Sequence, residues 1–151
     1  MSNFFVEMEG FNDLKTQIDK ITEDGQTQAN KDILKKCGEM TQARAKQLAP
    51  KSEDHMKSGV KHKNTPRLIP PTSLADGIPL SCVKGQNKTN MSITVGWKNL
   101  NDSPYVYARW VEWGTSKMPP RPFMETALRE SESQFIGIAK QQYDNLVKEL
   151  E

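Results

Sequence analysis
The sequence predicts an α+β fold: a long helical N-terminal region, a small antiparallel sheet carrying a long inserted loop, and a C-terminal helix packed on the sheet. Apolar residues recur at helical spacing near both ends of the chain. Between them, Ile93, Val95 and Trp97 alternate with Ser92, Thr94 and Gly96, the period of a half-buried strand. A proline-dense stretch over residues 64–79 separates the two regimes. The whole chain, 151 residues, is the length of one domain, and no internal repeat divides it.

From the start, Phe11, Leu14, Ile18 and Ile21 fall on one helical face, and Asp24-Gly25 interrupts that period. A second stripe runs through Ala29, Ile33, Cys37, Met40 and Leu48 and stops before Pro50. These are two helices, or one long helix broken at Gly25. Lys35, Lys36, Glu39 and Arg44 lie off the stripe and read as a solvated face. Residues 50–56 are turn-like, and Lys57 to Lys63 fit a short strand.

Pro66, Pro70, Pro71, Gly77 and Pro79 exclude a helix or a central strand from residues 64–79. This long loop is either a contact element or a surface insertion. Leu68, Ile69, Leu74 and Ile78 are apolar with no regular structure to bury them, so the loop is expected to contact a neighbouring subunit and to be dispensable for folding. Leu80–Lys84 and Met91–Trp97 read as strands joined by a hairpin loop over residues 85–90, and Lys98–Ser103 as a second polar loop. Tyr105 to Trp113 fits a strand at its start and a helical turn at its end. Beyond Pro122, which suits a first helical position, Met124, Leu128, Phe135, Ile138, Leu146 and Leu150 mark a C-terminal helix, with Glu125 complementing its N-terminal dipole.

Composition narrows the function classes. Hydrophobic residues are only 35% of the chain, which favours burial shared with other subunits. Basic and acidic residues number 11 and 10 over residues 1–63, 7 and 3 over 64–122, and 3 and 6 over 123–151, so charge is split along the chain. That split suits subunit-to-subunit complementarity better than phosphate neutralisation along a dense basic stripe. No apolar run near the start is long enough for a signal peptide or membrane span, and a cytoplasmic protein with no membrane partner is expected. Cys37 and Cys82 are isolated and read as reduced, buried thiols, with no metal site. His55 and His62 have no nucleophile motif beside them, Glu112 and Glu125 have no substrate signature, and Gly96 and Gly114 form no phosphate loop. No catalytic, cofactor-binding or metal-ligating residue is assigned. A nucleic-acid module using Arg67, Lys84, Lys88, Lys98 and Arg109 with Tyr105, Tyr107, Trp110 and Trp113 as stacking surfaces is the alternative. Aromatic residues this dense are more often core or interface anchors.

The most informative segment is Tyr107-x-x-x-Val111-Glu112-x-Gly114-Thr115 followed by Arg121-Pro122-Phe123, with Ala127 and Leu128 inside the last helix. Gly114 can reverse the chain at positive φ, and the proline-rich stretch after it is stiff. This pattern resembles the head–tail joining or tail-completion proteins of long-tailed phages. Ala49-Pro50 matches the family's Ala-Pro at the end of its long helix, whereas its Gly-x-Leu-basic-x-Ser strand entry is degraded here to Asp54, Met56, Lys57 and Gly59.

The resemblance implies a virion protein of the neck or tail, assembled in the host cytoplasm. It implies a homo-oligomer, often a hexameric ring, between the connector and the tail-tube or tail-terminator proteins, with genomic DNA passing through without sequence-specific binding. The expected structural and interface residues are Tyr107, Trp110, Glu112, Trp113, Gly114, Thr115, Arg121, Pro122 and Phe123, with Leu68, Ile69 and Leu74 from the loop. Glu112 and Arg121 are expected to pair across the Gly114–Pro120 turn, or to share a contact with the next subunit.

Overall fold
A computed structural model describes residues 23–57, 59, 66, 69–85, 90–98 and 104–149. Among them are three α-helices: α1 (Glu23–Leu48), α2 (Ala108–Trp113) and α3 (Phe123–Glu149), with a 3-10 turn at His55–Lys57. α1 has no proline within it, and its last turn closes with the Ala49 N–H donating to the Ala45 carbonyl at 2.8 Å just before Pro50 stops it. Gly25 lies in the first turn of α1 and does not break it.

α1 and α3 run antiparallel and pack along their lengths. Along one row α1 buries Ala29, Cys37, Thr41, Ala45 and, just past its end, Ala49, with Gln26 and Gly38 buried beside that row; α3 buries Phe123, Ala127, Ser131 and Tyr143. Both sets fall on rows of spacing four, which form the ridge of an α-helix surface. Small residues make up the α1 row, and on α3 Ala127 and Ser131 lie between the aromatic Phe123 and Tyr143. Thr41 and Ser131 are accommodated in this apolar seam because each hydroxyl donates back to the carbonyl four residues earlier, at 2.9 and 2.8 Å. Toward the start of α1, Tyr143 is buried on Ala29 with Ile33, Ile136, Leu146 and Val147 around them. Its hydroxyl donates to Asn30 Oδ1, and burial raises the phenol pKa. On the seam's exposed edge Arg44 pairs with Glu130, and that hydrogen bond holds the Glu130 carboxyl below its usual range.

The other end of the seam holds the main core: Ala45, Ala49, Leu74, Ala75, Ile78, Tyr105, Ala108, Phe123 and Ala127. Three of these, Leu74, Ala75 and Ile78, come from the proline-dense loop, which corrects the expectation placed on it. Leu74 is 3% exposed and Ile78 is buried as deeply, so neither is left for a neighbouring subunit. Pro70 is also fully buried. A turn over residues 74–77 shapes the segment, with the Gly77 N–H donating to the Ser73 carbonyl at 3.1 Å. Gln42 Nε2 of α1 donates to the Ile78 carbonyl at 2.8 Å, tying the loop to the helix. Ile69 is exposed, and Leu68 lies outside the described residues.

The α+β expectation is overturned: among the described residues there is no strand and no sheet. Residues 80–84 and 91–97 pair only at two isolated antiparallel bridges, Leu80 with Val95 and Lys84 with Ser92. Four residues lead from Leu80 to Lys84 but three from Ser92 to Val95, so one extra residue breaks the register as in a β-bulge. Ser81 Oγ also takes the Thr94 N–H at 2.8 Å, a donor that a continuous ladder would use. Among the described residues the ribbon finds no third strand. Tyr105–Trp113 is a turn followed by α2, Lys57 ends the 3-10 turn, and the rest of the expected Lys57–Lys63 strand lies outside the described residues apart from Gly59. Nor does α3 rest on a sheet; its long contact is with α1, and the ribbon lies against α1, with Ile93 and Leu80 over Gly38. The first helical stripe, Phe11–Ile21, most of the hairpin loop and most of the Lys98–Ser103 loop also lie outside the described residues.

Candidate functional site
The patterned segment 105–123 folds as a short helix braced against the start of a long one. Its foundation is Tyr105, buried, stacked on Trp97 with ring centroids 5.5 Å apart and bonded through its hydroxyl to Thr72 Oγ1 at 2.8 Å. The Tyr105 ring lies so close over Gly77 that a Cβ there would sit 2.3 Å from its Cζ. From this anchor the chain turns through Val106 and Tyr107 into α2, with the Tyr107 carbonyl accepting from the Trp110 and Val111 N–H groups at 3.0 Å.

α2 ends at Gly114, where φ is 73° and ψ is −178°. Only glycine adopts this region without strain, and a Cβ would meet the Pro120 nitrogen at 2.7 Å and the Met118 carbonyl oxygen at 2.8 Å. Thr115 and Met118 exchange both backbone hydrogen bonds, closing a four-residue loop, and the Arg121 N–H returns to the Val111 carbonyl at 2.7 Å. The chain therefore comes back beside α2 before α3 begins.

Glu112 makes the junction rigid. Its Oε2 accepts the Met124 N–H and its Oε1 the Glu125 N–H, each at 3.0 Å. These are the second and third amides of α3, the donors that a helix-capping side chain normally satisfies. Pro122, the residue before the helix, has no side-chain acceptor to offer, so the cap comes from α2 instead. The carboxylate also opposes the positive end of the α3 dipole. The expected Glu112–Arg121 ion pair is thus replaced: Glu112 is bound to backbone, and the Arg121 side chain is exposed. Phe123, the first residue of α3, is buried in the main core and fixes the other side of the joint.

Trp110 and Trp113 stand on the outer face of α2, 39% and 74% exposed, with the Arg109 guanidinium 5.7 Å from the Trp110 ring centre. Thr115, Arg121 and Pro122 are exposed at the loop, and Tyr107 is half-buried against the core. The structure thus brings nine of the expected residues into one unit, Tyr107 through Phe123, and joins it through Phe123 and Tyr107 to the core that holds Leu74. An open apolar groove of about 990 Å³ runs beside this unit, between α1, the ribbon, α2 and α3. Cys37 and Gly38 line its floor, with Ile93, Trp113, Met124 and Leu128 around them. Leu128 is 40% exposed. Sequence reasoning did not find this groove or the Glu112 cap; the only signal for the cap was a helix start at Pro122-Phe123 with no capping side chain of its own. Cys37 is buried, and desolvation raises its thiol pKa, but Cys82 is exposed, contrary to the expectation that both are buried.

The sequence matches the family model described as bacteriophage HK97-gp10 tail component over residues 12–114. The chain belongs to the HK97-gp10-like family. The match ends at Gly114, so it takes in α1, the ribbon and α2, and stops where the chain turns back toward α3. No curated protein and no solved structure matches the chain. As a member of a family of phage tail components, this HK97-gp10-like chain has a structural role in the virion and works among other virion proteins. No described helix is long and apolar enough to cross a membrane.

Replacing Glu112 with alanine is expected to lower stability by about 1–2 kcal/mol, the usual cost of a lost helix cap, whereas Arg121→Lys should change it by less than about 0.5 kcal/mol. In urea unfolding the two substitutions should be additive, since they share no contact. A measured coupling above about 0.5 kcal/mol would mean that the ion pair exists after all.

Proposed function
We propose that this protein is a subunit of the phage head–tail interface, a tail-completion or neck component that forms a homo-oligomeric ring between the connector and the tail tube or tail terminator. The genome passes through the centre of that ring without sequence-specific contacts. The observation that carries the reading is the braced α2: a tryptophan three-quarters exposed on a short helix that Gly114, Glu112 and Phe123 hold at a fixed angle to α3. Ordering an aromatic anchor in advance lowers the entropy cost of docking, which is what a subunit added to a preformed connector needs. Low apolar content and a core built largely from alanine suit a chain that completes its burial on assembly.

Light scattering and negative-stain imaging test this. The isolated protein should be a monomer or weak oligomer, and it should form closed rings with purified connector. A stable two-fold dimer, independent of concentration and unchanged by connector, would overturn the ring.

A further inference from the structure
We infer that the segment Met118–Pro122 is a preformed docking strip, received by another virion protein in an aromatic-lined groove that carries a carboxylate. The inference deepens the head–tail reading above and rests on it for where that partner stands. Pro119, Pro120 and Pro122 have φ fixed at about −65°, and Met118, Pro119 and Arg121 each precede a proline, which keeps them extended. Residues 119–122 accordingly run without a turn or bend. Both ends of the strip are held: Thr115 and Met118 bond each other's backbone, and the Arg121 N–H donates to the Val111 carbonyl. Little conformational freedom is left to lose on binding, which is the advantage that proline-rich ligands bring to aromatic grooves.

The side chains of the strip are not used by the fold. Pro119, Pro120, Arg121 and Pro122 are all exposed, so three apolar rings stand in solvent within four residues. An extended proline-rich chain has about three residues per turn, which sets Pro119 and Pro122 on one edge and Arg121 on another. Neither Arg121 nor Lys117 forms an ion pair among the described residues. The acids on either side are engaged within the chain: Glu112 caps α3, and Glu125 pairs with Arg129 at 2.7 Å. Positive charge is left for a partner's carboxylate, which a planar guanidinium meets with two hydrogen bonds. A second copy of this chain fits poorly, because its exposed Trp110 and Trp113 stand beside Arg109 in the same basic unit and like charges would face each other. Nucleic acid fits poorly as well, since proline offers no aromatic face on which a base can stack and Lys117 and Arg121 are few charges for following phosphates.

Photo-crosslinking in assembled phage particles tests the strip. Full-length chain with p-benzoylphenylalanine in place of the exposed Ser116 is expected to link to one other virion protein, beside a Trp or Tyr and an Asp or Glu. The yield should be about ten times that from the same group at the exposed Ser133 of α3. Links only to copies of this chain or to DNA overturn the inference, as do yields no higher than at Ser133. Arg121→Glu should lower incorporation into particles about tenfold, and Pro119→Ala with Pro120→Ala about threefold, with urea midpoints on the same proteins separating a folding loss from a docking loss. Changing the linked partner acid to Lys should restore the Arg121→Glu chain; no restoration from any acid at the linked site overturns the carboxylate. A ring at the head–tail junction without such a link would sink the strip and leave the ring. The link made to a protein away from that junction would do the reverse.

Discussion
Deletion of residues 66–78 is expected to abolish cooperative folding. The segment supplies Leu74, Ala75 and Ile78 to the main core and places the fully buried Pro70 beneath it. Truncating one buried Leu or Ile typically costs about 2–5 kcal/mol, and a domain of this size has only about 5–15 kcal/mol to lose. The deletion also removes Thr72, the partner of the Tyr105 hydroxyl, and Gly77, on which the Tyr105 ring rests. Tyr105 is the foundation of α2, so the patterned segment should lose its position with the core. Circular dichroism and urea unfolding should show a partly helical chain without a sharp transition. A soluble deletion variant that unfolds in one step at the original midpoint would return the loop to the role of a surface insertion.

Phe123→Ala should cost about 3–5 kcal/mol, the range for truncating a buried aromatic, because its ring fills the core where α1, the loop and α3 meet. Trp113→Ala, ten residues earlier in the same unit, should change stability by no more than about 0.5 kcal/mol, since that side chain is mostly in solvent. The two variants should then part company in assembly. Trp113→Ala is expected to fold normally and fail to join connector, whereas Phe123→Ala should recover assembly at low temperature as far as its folded fraction allows. Equal loss of stability in both would place Trp113 in the core; full assembly of Trp113→Ala particles would remove it from the interface.

Some of this was legible in the chain. Both long helices were legible from apolar residues recurring every three or four positions, and Ala29 and Cys37 of the α1 stripe are buried, but α3 buries the row through Phe123, Ala127, Ser131 and Tyr143 and leaves Leu128 of its expected stripe exposed. Gly114 announced its turn because only glycine takes its backbone angles without strain. The middle misled for an equally physical reason. Alternation at Ile93, Val95 and Trp97 states only that one side is buried; it does not say whether the ladder finds a partner strand or lies on a helix, and here it lies on α1 at Gly38. Proline density in residues 64–79 excluded a helix or a central strand, and the described residues of that stretch form neither, but it says nothing about depth, and so Leu74 was assigned to a surface it does not occupy.

The sequence by itself determined the two long helices over residues 23–48 and 123–149, the glycine turn and the likeness of the 107–123 pattern to phage head–tail proteins, since each depends on residues close together in the chain. Tertiary structure alone decided where α3 packs, that the loop is core, and that Glu112 caps the helix after the turn instead of pairing with Arg121. The reason lies in what competes for a carboxylate. An exposed guanidinium can keep its hydration and gains little from pairing, whereas two unsatisfied amides at a helix start must find an acceptor, and only the folded chain shows that Glu112 is within reach.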